Sequence, residues 1–195
     1  IWEKPILNWS DANGDGVLGR DEIEVGDEYE YIGPGMPTRE VSLSNSFTLW
    51  NRVRIYGLLD YRGDYILYNN TERFRCNFSD CRALQDPSAP LWDQARAVAN
   101  RFHSTPTTWG YREDGSFLKF RELSVSFFVP QEWAERLRAS RAVFTVTGRN
   151  LATWTDYTGV DPELNQGGSS TNFGTSDFLT QPPLRYWTAR LTLNF

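Results

Sequence analysis

The sequence predicts an all-β fold, made of antiparallel strands from a transmembrane β-barrel. Three observations support this: strict alternation of apolar and polar residues, alternating segments of about ten residues, and connections that are alternately short and long. Alternation gives each strand one face for lipid and one for water. A soluble β-sandwich would alternate equally well, but its strands would follow one another about every 8–12 residues. Two long gaps, residues 62–116 and 150–183, interrupt this chain.

The clearest alternation lies in the last segment of the chain. Its apolar residues occupy every second position and its polar residues the positions between them. The apolar set is Trp187, Ala189, Leu191, Leu193 and Phe195. Such a strand can place one face against lipid, so Trp187, Leu191, Leu193 and Phe195 are predicted to form a membrane-insertion signal.

Other alternating segments predict a hairpin and an irregular strand. The segments on either side of Trp50-Asn51 alternate around a short joint, which is typical of a β-hairpin. Between Phe117 and Val129 the apolar positions change from even to odd numbers, so we expect a β-bulge near Arg121 and Glu122. Helical spacing at Leu91, Ala95, Val98 and Phe102 predicts a short helix, and a further helical turn is expected over 131–137.

Composition excludes several functions. The 195 residues carry a net charge of −5, and their basic residues are scattered, which argues against nucleic-acid binding. No stretch reaches the roughly 18 apolar residues of a transmembrane helix. The single histidine, His103, and the lack of a Gly-rich phosphate loop leave little basis for catalysis, so the sequence predicts no enzyme.

The segment Asp11 to Glu22 matches a twelve-position calcium loop. Oxygen donors occupy positions 1, 3 and 5, a glycine occupies position 6, and a glutamate that can bind through both oxygens occupies position 12. The predicted calcium ligands are Asp11, Asn13, Asp15, the Val17 carbonyl and Glu22. A solvated acidic turn would also use Asn-Gly and Asp-Gly, but it would not require Glu22. No amphipathic helix follows, so the loop reads as a structural Ca²⁺ site and not a sensor.

Two cysteines, Cys76 and Cys81, lie five positions apart in a polar stretch. A disulfide between them is expected in an oxidising compartment, with two free thiols as the alternative. Trp109, Trp154 and Tyr157 lie in or beside the long connections and could stack on a sugar or peptide. Packing within the connections, or an aromatic girdle at the membrane interface, is the alternative for such rings.

Three segments together resemble the C-terminal third of SusC/RagA-like TonB-dependent transporters. They are the DANGDG loop at Asp11–Gly16, the segment FLKFRELSVSF from Phe117 onward, and TGRNLATWTDYTGVDPE from Thr147 to Glu163. The resemblance implies a 22-stranded barrel, of which residues 1–195 are the C-terminal portion, with the plug and earlier strands absent. It also implies a location in the bacterial outer membrane.

The resemblance further implies TonB-dependent uptake of glycans, oligosaccharides or peptides. The implied partners are a SusD-like lipoprotein, TonB through the missing N-terminal part, and outer-membrane lipid. Counting back from the last strand places the Trp50-Asn51 turn and residues 130–140 at the periplasm, and the calcium loop, the cysteines and both long connections outside. The alternative is a secreted, calcium-stabilised β-domain that binds carbohydrate at a cell surface.

Overall fold

The computed structural model describes residues 1–78, 81–168 and 175–195. In chain order, the strands are β1 (Trp2–Glu3), β2 (Ile6–Trp9), β3 (Ile23–Val25), β4 (Glu30–Tyr31), β5 (Arg39–Leu49), β6 (Val53–Gly63), β7 (Ile66–Asn69), β8 (Arg112–Asp114), β9 (Phe117–Phe128), β10 (Arg141–Thr155), β11 (Thr175–Asp177) and β12 (Tyr186–Asn194). The helices are α1 (Asn70–Asn77), α2 (Arg82–Gln85), α3 (Leu91–Arg101) and α4 (Gln131–Arg136), with short 3₁₀ turns at Arg20–Glu22 and Trp109–Tyr111.

The chain divides into two compact units. The sheet unit comprises Arg39–Gly63, Phe117–Thr155 and Pro183–Phe195. The loop unit comprises Ile1–Thr38, Asp64–Ser116 and Asp156–Pro182. Strands dominate and helices are few, which confirms the predicted all-β class.

The sheet unit is one antiparallel sheet of five strands in the order β12-β10-β9-β6-β5. The predicted hairpin between β5 and β6 is confirmed, with Leu49 paired with Val53. Trp50 and Asn51 at its tip have φ of 48° and 53°, and the Arg52 amide donates to the Leu49 carbonyl over 3.0 Å. Positive φ at both central residues is typical of a tight turn that follows the twist of its strands.

The predicted bulge is confirmed at Arg121. On β6, Leu58 pairs with Glu122 and the next residue, Leu59, pairs with Phe120, so Arg121 has no opposite residue. Its guanidinium reaches Asp60 on β6, with Nη2 at 2.6 Å and Nε at 3.1 Å from Oδ2. The extra residue changes the phase of β9, which is why its apolar residues fall on even numbers before the bulge and on odd numbers after it.

The loop unit contains small sheets and helices around a hydrophobic core. Strands β11 and β7 are parallel, while β7 and β8 are antiparallel. Helix α3 confirms the predicted helix and buries its Ala95, Val98 and Ala99 against the short β2–β3 pair. In the sheet unit, α4 confirms the helical turn expected after Pro130. Among the residues that the structure describes, no helix has the length and apolar character to cross a membrane.

Candidate membrane face and loop sites

One face of the five-stranded sheet is apolar from edge to edge. Strand registers align side chains in rows across the sheet, because residues directly opposite one another point to the same face. One row is Leu49, Val53, Phe127, Phe144 and Leu191, and the next is Phe47, Ile55, Val125, Val146 and Ala189. Many of these side chains are exposed, including Phe47 at 60% and Leu191 at 57%. An apolar surface that spans five strands is larger than water-facing proteins normally leave open.

The opposite face of the sheet is polar. Hydroxyl groups pair across β9 and β10, with Ser124 to Thr147 and Ser126 to Thr145 both at 2.9 Å. Asp60 on this face forms an ion pair with Arg121 and accepts a hydrogen bond from the Ser42 hydroxyl at 2.7 Å. A sheet with one largely apolar face, interrupted by Asn45, and one hydrogen-bonding face is typical of strands that separate lipid from water.

The predicted insertion signal lies on the apolar face. Leu191 and Leu193 are opposite Phe144 and Ala142 on β10, and Phe195 follows β12 with 86% of its surface exposed. Trp187 is opposite Gly148, and its indole ring lies over that glycine so closely that an added Cβ would come within 2.6 Å of the ring. These residues lie on or follow the apolar face of β12, and their role in insertion stays a prediction.

In the calcium-type loop Asp11 to Glu22, acidic side chains accept hydrogen bonds from the loop's own backbone amides. Asp11 accepts from the amides of Gly14 and Gly16 at 2.8 and 2.9 Å, and Asp15 accepts from Val17 at 2.8 Å. Glu22 reaches back to the amides of Ala12 and Gly19 at 2.9 and 2.8 Å. Gly14 and Gly16 have φ of 75° and 80°, a conformation that favours glycine. Among the described residues, no three His, Cys, Asp or Glu are grouped closely enough to hold a metal ion, so calcium binding stays a prediction.

Gln94 fixes this loop to helix α3. It is 2% exposed, and its carboxamide forms hydrogen bonds with the loop backbone at Gly16 and at Leu18. Nε2 donates to the Gly16 carbonyl at 3.0 Å and to Ala89 at 3.0 Å, while Oε1 accepts from the Leu18 amide at 2.9 Å. Leu18, itself 2% exposed, packs into the core formed with Val98. The loop is therefore held by one buried amide and one buried leucine.

Replacing Gln94 with leucine should loosen the loop. The change removes the partners of the Leu18 amide and the Gly16 carbonyl, and an unsatisfied buried polar group costs about 1–3 kcal/mol. Hydrogen exchange of the full-length protein should show faster exchange at residues 14–18. Gln131→Leu, which removes an exposed side-chain bond to Glu135, is the matched control. Equal exchange in the two variants would contradict this role of Gln94.

Cys76 and Cys81 are joined by a disulfide, with their Cα atoms 4.9 Å apart. Both are buried and pack with Ala97 and Tyr111. Cys76 lies in α1, whose N-terminus is capped by Asn69, and Cys81 precedes α2. The bridge thus joins the two helices next to the core.

The three aromatic residues proposed to contact substrate lie in different surroundings. Trp109 packs against the hydrophobic core around Val98. Trp154 belongs to β10, opposite Leu118 on the apolar face, and is 53% exposed. Tyr157 is 5% exposed and its hydroxyl donates a short hydrogen bond to Asp177. This placement favours the alternative interpretation, in which Trp109 and Tyr157 pack within the connections and Trp154 belongs to a membrane-facing surface.

Tyr157 and Asp177 form a buried polar centre in the loop unit. Asp177, 1% exposed, also accepts from the Thr71 amide at 3.2 Å. Burial, followed by the hydrogen bond to Asp177, raises the pKa of Tyr157. The phenol therefore stays neutral in the folded chain above pH 10, the range in which an unfolded tyrosine ionises. This centre was not predicted, because nothing in the sequence brings residues 71, 157 and 177 together.

The comparisons with known proteins agree with this architecture. No family model matches the chain. TonB-dependent receptor P26 of Formosa agariphila is 24% identical over 85% of the chain, and TonB-dependent receptor P3 of the same organism is 33% identical over 44% of it. A structure of the RagAB peptide importer in its closed-closed state shares the fold, with a TM-score of 0.69 over 100% of the chain at 17% identity. The chain is similar to a part of TonB-dependent receptors and has the fold of part of a SusC/RagA-like chain.

The chain spans 16% of P26, 9% of P3 and 23% of the RagAB chain. The relatives are receptors and transporters and not enzymes, in agreement with the sequence prediction. TonB-dependent receptors are outer-membrane proteins, which confirms the predicted location in the bacterial outer membrane.

Proposed function

We propose that the chain is the C-terminal part of a 22-stranded outer-membrane barrel that imports nutrients with energy supplied through TonB. The observation that carries this proposal is the apolar face, which continues across β5, β6, β9, β10 and β12 opposite a polar face. In hydrocarbon every backbone amide and carbonyl needs a partner, so the two open edges of the sheet would pair with the remaining strands of a closed barrel.

The proposed transport requires no covalent chemistry. The polar face lines the lumen, and a plug contributed by the absent N-terminal part closes it until TonB acts. A SusD-like lipoprotein covers the outer side and holds glycan, oligosaccharide or peptide near the long connections. The RagAB neighbour is described as a peptide importer. This supports peptide as one of the proposed substrates, and a lipoprotein partner of the RagB/SusD kind.

Assembly of the full-length receptor tests this proposal. Deleting Phe195 should reduce the amount of receptor in the outer membrane, because the last strand loses its terminal aromatic residue. Membrane fractionation with detergent extraction measures this, with deletion of Leu179, an exposed residue of the loop unit, as the control. Uptake of labelled oligosaccharide and peptide pools, with and without a functional TonB, then separates the substrate classes.

Residues 1–195 expressed alone test the alternative function. A fragment with an open sheet and an exposed apolar face should aggregate in the absence of detergent. A monomeric, cooperatively folded and water-soluble fragment would refute the barrel and support a secreted calcium-stabilised β-domain that binds carbohydrate.

We also propose that the loop Asp11 to Glu22 binds one structural Ca²⁺. Oxygens of Asp11, Asn13, Asp15 and Glu22, with the Val17 carbonyl, form a hard donor set suited to this ion. Asp11 and Glu22 each accept three amide N–H groups and Asn13 and Asp15 one each, so every one of these side chains keeps a free lone pair. Bound calcium would supply the positive charge that these carboxylates lack.

Asp15→Ala should lower calcium affinity in the full-length receptor while the barrel remains assembled, because one charged ligand is lost. Calorimetric titration of chelator-treated receptor measures the affinity, and Asp27→Ala, outside the loop, is the control. Mass spectrometry that finds no stoichiometric calcium in the native receptor would refute the site.

A further inference from the structure

An aromatic residue on the polar face holds two arginines. Phe128 of β9 has the Arg54 guanidinium of β6 at 5.5 Å from its ring centroid and the Arg141 guanidinium of β10 at 5.4 Å. Both distances are within the range in which a cation is attracted to a ring. The arginines therefore approach one ring from the two strands that flank it. Together with Ser126, Val143, Thr192 and Asn194 they line an open cavity of about 300 Å³.

These two arginines differ from Arg121 and Arg149 of the same face. Arg121 pairs with Asp60 at 2.6 Å and Arg149 with Glu122 at 3.0 Å. In the part of the chain that the structure describes, neither Arg54 nor Arg141 forms an ion pair with a carboxylate. The ring attracts both cations but carries no negative charge, so their charges remain uncompensated.

The chemistry of the cavity favours an oxyanion. Guanidinium groups bind carboxylates with two parallel N–H bonds, and the aromatic contact restricts their orientation in advance. The Thr192 hydroxyl and the Asn194 amide, both in the lining, add neutral donors. No acidic side chain lines the cavity among the described residues, so nothing there would repel an anion.

We propose that Arg54 and Arg141, held by Phe128, form a binding site for a carboxylate on the polar face of the sheet. The inference rests on the proposed barrel, in which this face lines the lumen and would be covered by protein. Charges covered by protein without a partner are strongly unfavourable, and a carboxylate supplies that partner. The carboxylate belongs either to another segment of the receptor polypeptide or to a small solute in the lumen.

A zero-length cross-link identifies a polypeptide carboxylate. In full-length receptor within isolated outer membranes, Arg141→Lys keeps the positive charge and supplies an amine that a carbodiimide can join to a nearby carboxylate. Peptide mapping should find a cross-link from position 141 to an Asp or Glu of the receptor. Thr147→Lys, farther along the same face of β10 and bonded to Ser124 outside the lining, is the matched control and should not give that cross-link.

Citrate titration identifies a soluble carboxylate. The melting temperature of the purified receptor should rise when citrate is added. The double variant Arg54→Gln, Arg141→Gln should bind citrate at least about tenfold more weakly, because hydrogen bonds to charged groups are lost. Arg149→Gln, on the polar face but outside the lining and already paired with Glu122 at 3.0 Å, should leave citrate binding unchanged.

Each result decides the question. A cross-link from position 141 supports a polypeptide carboxylate, and citrate stabilisation lost in the double variant supports a soluble one. The absence of both, in receptor that is present in the outer membrane, would overturn this site and leave the barrel intact. Wild-type receptor that is absent from the outer membrane would instead overturn the proposed function, and the site with it.

Discussion

Leu191→Arg should sharply reduce assembly of the full-length receptor in the outer membrane. Leu191 is 57% exposed on the apolar face, opposite Phe144, where the proposed barrel meets lipid. An arginine facing lipid near the middle of the bilayer costs about 2–4 kcal/mol. Denaturant unfolding of the receptor in lipid vesicles measures the change in the free energy of unfolding, and membrane fractionation measures the amount assembled.

Thr188→Arg on the same strand is the matched control. Thr188 lies opposite Thr147 on the polar face, where Arg190 already points to the same side of the sheet. The same charge should therefore cost little there. If both variants assembled equally well, or if Thr188→Arg were the more harmful, the assignment of the two faces would be wrong.

Gly148→Ala should also destabilise the sheet. A Cβ at this position would come within 2.6–2.8 Å of three ring atoms of Trp187, the residue directly opposite. The indole would have to leave its position over the strand, and overpacking of this kind costs about 1–3 kcal/mol. Unfolding of the receptor in lipid vesicles measures the loss, and Trp187 fluorescence reports the displacement of the ring.

Gly57→Ala provides the comparison within the same row. An added Cβ at Gly57 would lie 3.9 Å from the nearest neighbouring atom, in the Phe120 ring, which is an ordinary contact. Alanine should be accepted there without loss. Combining Gly148→Ala with Trp187→Ala should remove the clash, so the double variant should lose less than the sum of the two single changes. Additive losses would show that the two residues do not interact.

The sheet could be predicted well from the sequence, because period-two alternation is a local signal. The hairpin at Trp50-Asn51, the phase change at Arg121 and the helix from Leu91 each depend on residues close together in the chain. The extent of the apolar face could not be derived in this way. It depends on strand registers, which join residues as distant as Leu49 and Leu191.

The sites in the loop unit were harder to predict, because their contacts span large sequence distances. Gln94 reads as an ordinary polar residue of an amphipathic helix, yet it bonds to Gly16 and Leu18. Tyr157 reads as a possible stacking ring, yet it is buried beside Asp177. Whether such a side chain is buried depends on the residues that surround it in the folded chain. A single sequence does not show which distant residues those are.

The loop unit also bears on how receptors of this kind could exchange specificity. Its three chain segments are interlaced: Gln94 bonds to Gly16, Tyr65 donates to the Pro162 carbonyl at 2.8 Å, and the Thr175 hydroxyl donates to Gly35 at 3.1 Å. A single segment transplanted from a relative would arrive without the partners that complete its fold. Recombination that produces a working chimera should therefore move residues 1–38, 64–116 and 156–182 together, and the strands between them can remain those of the recipient.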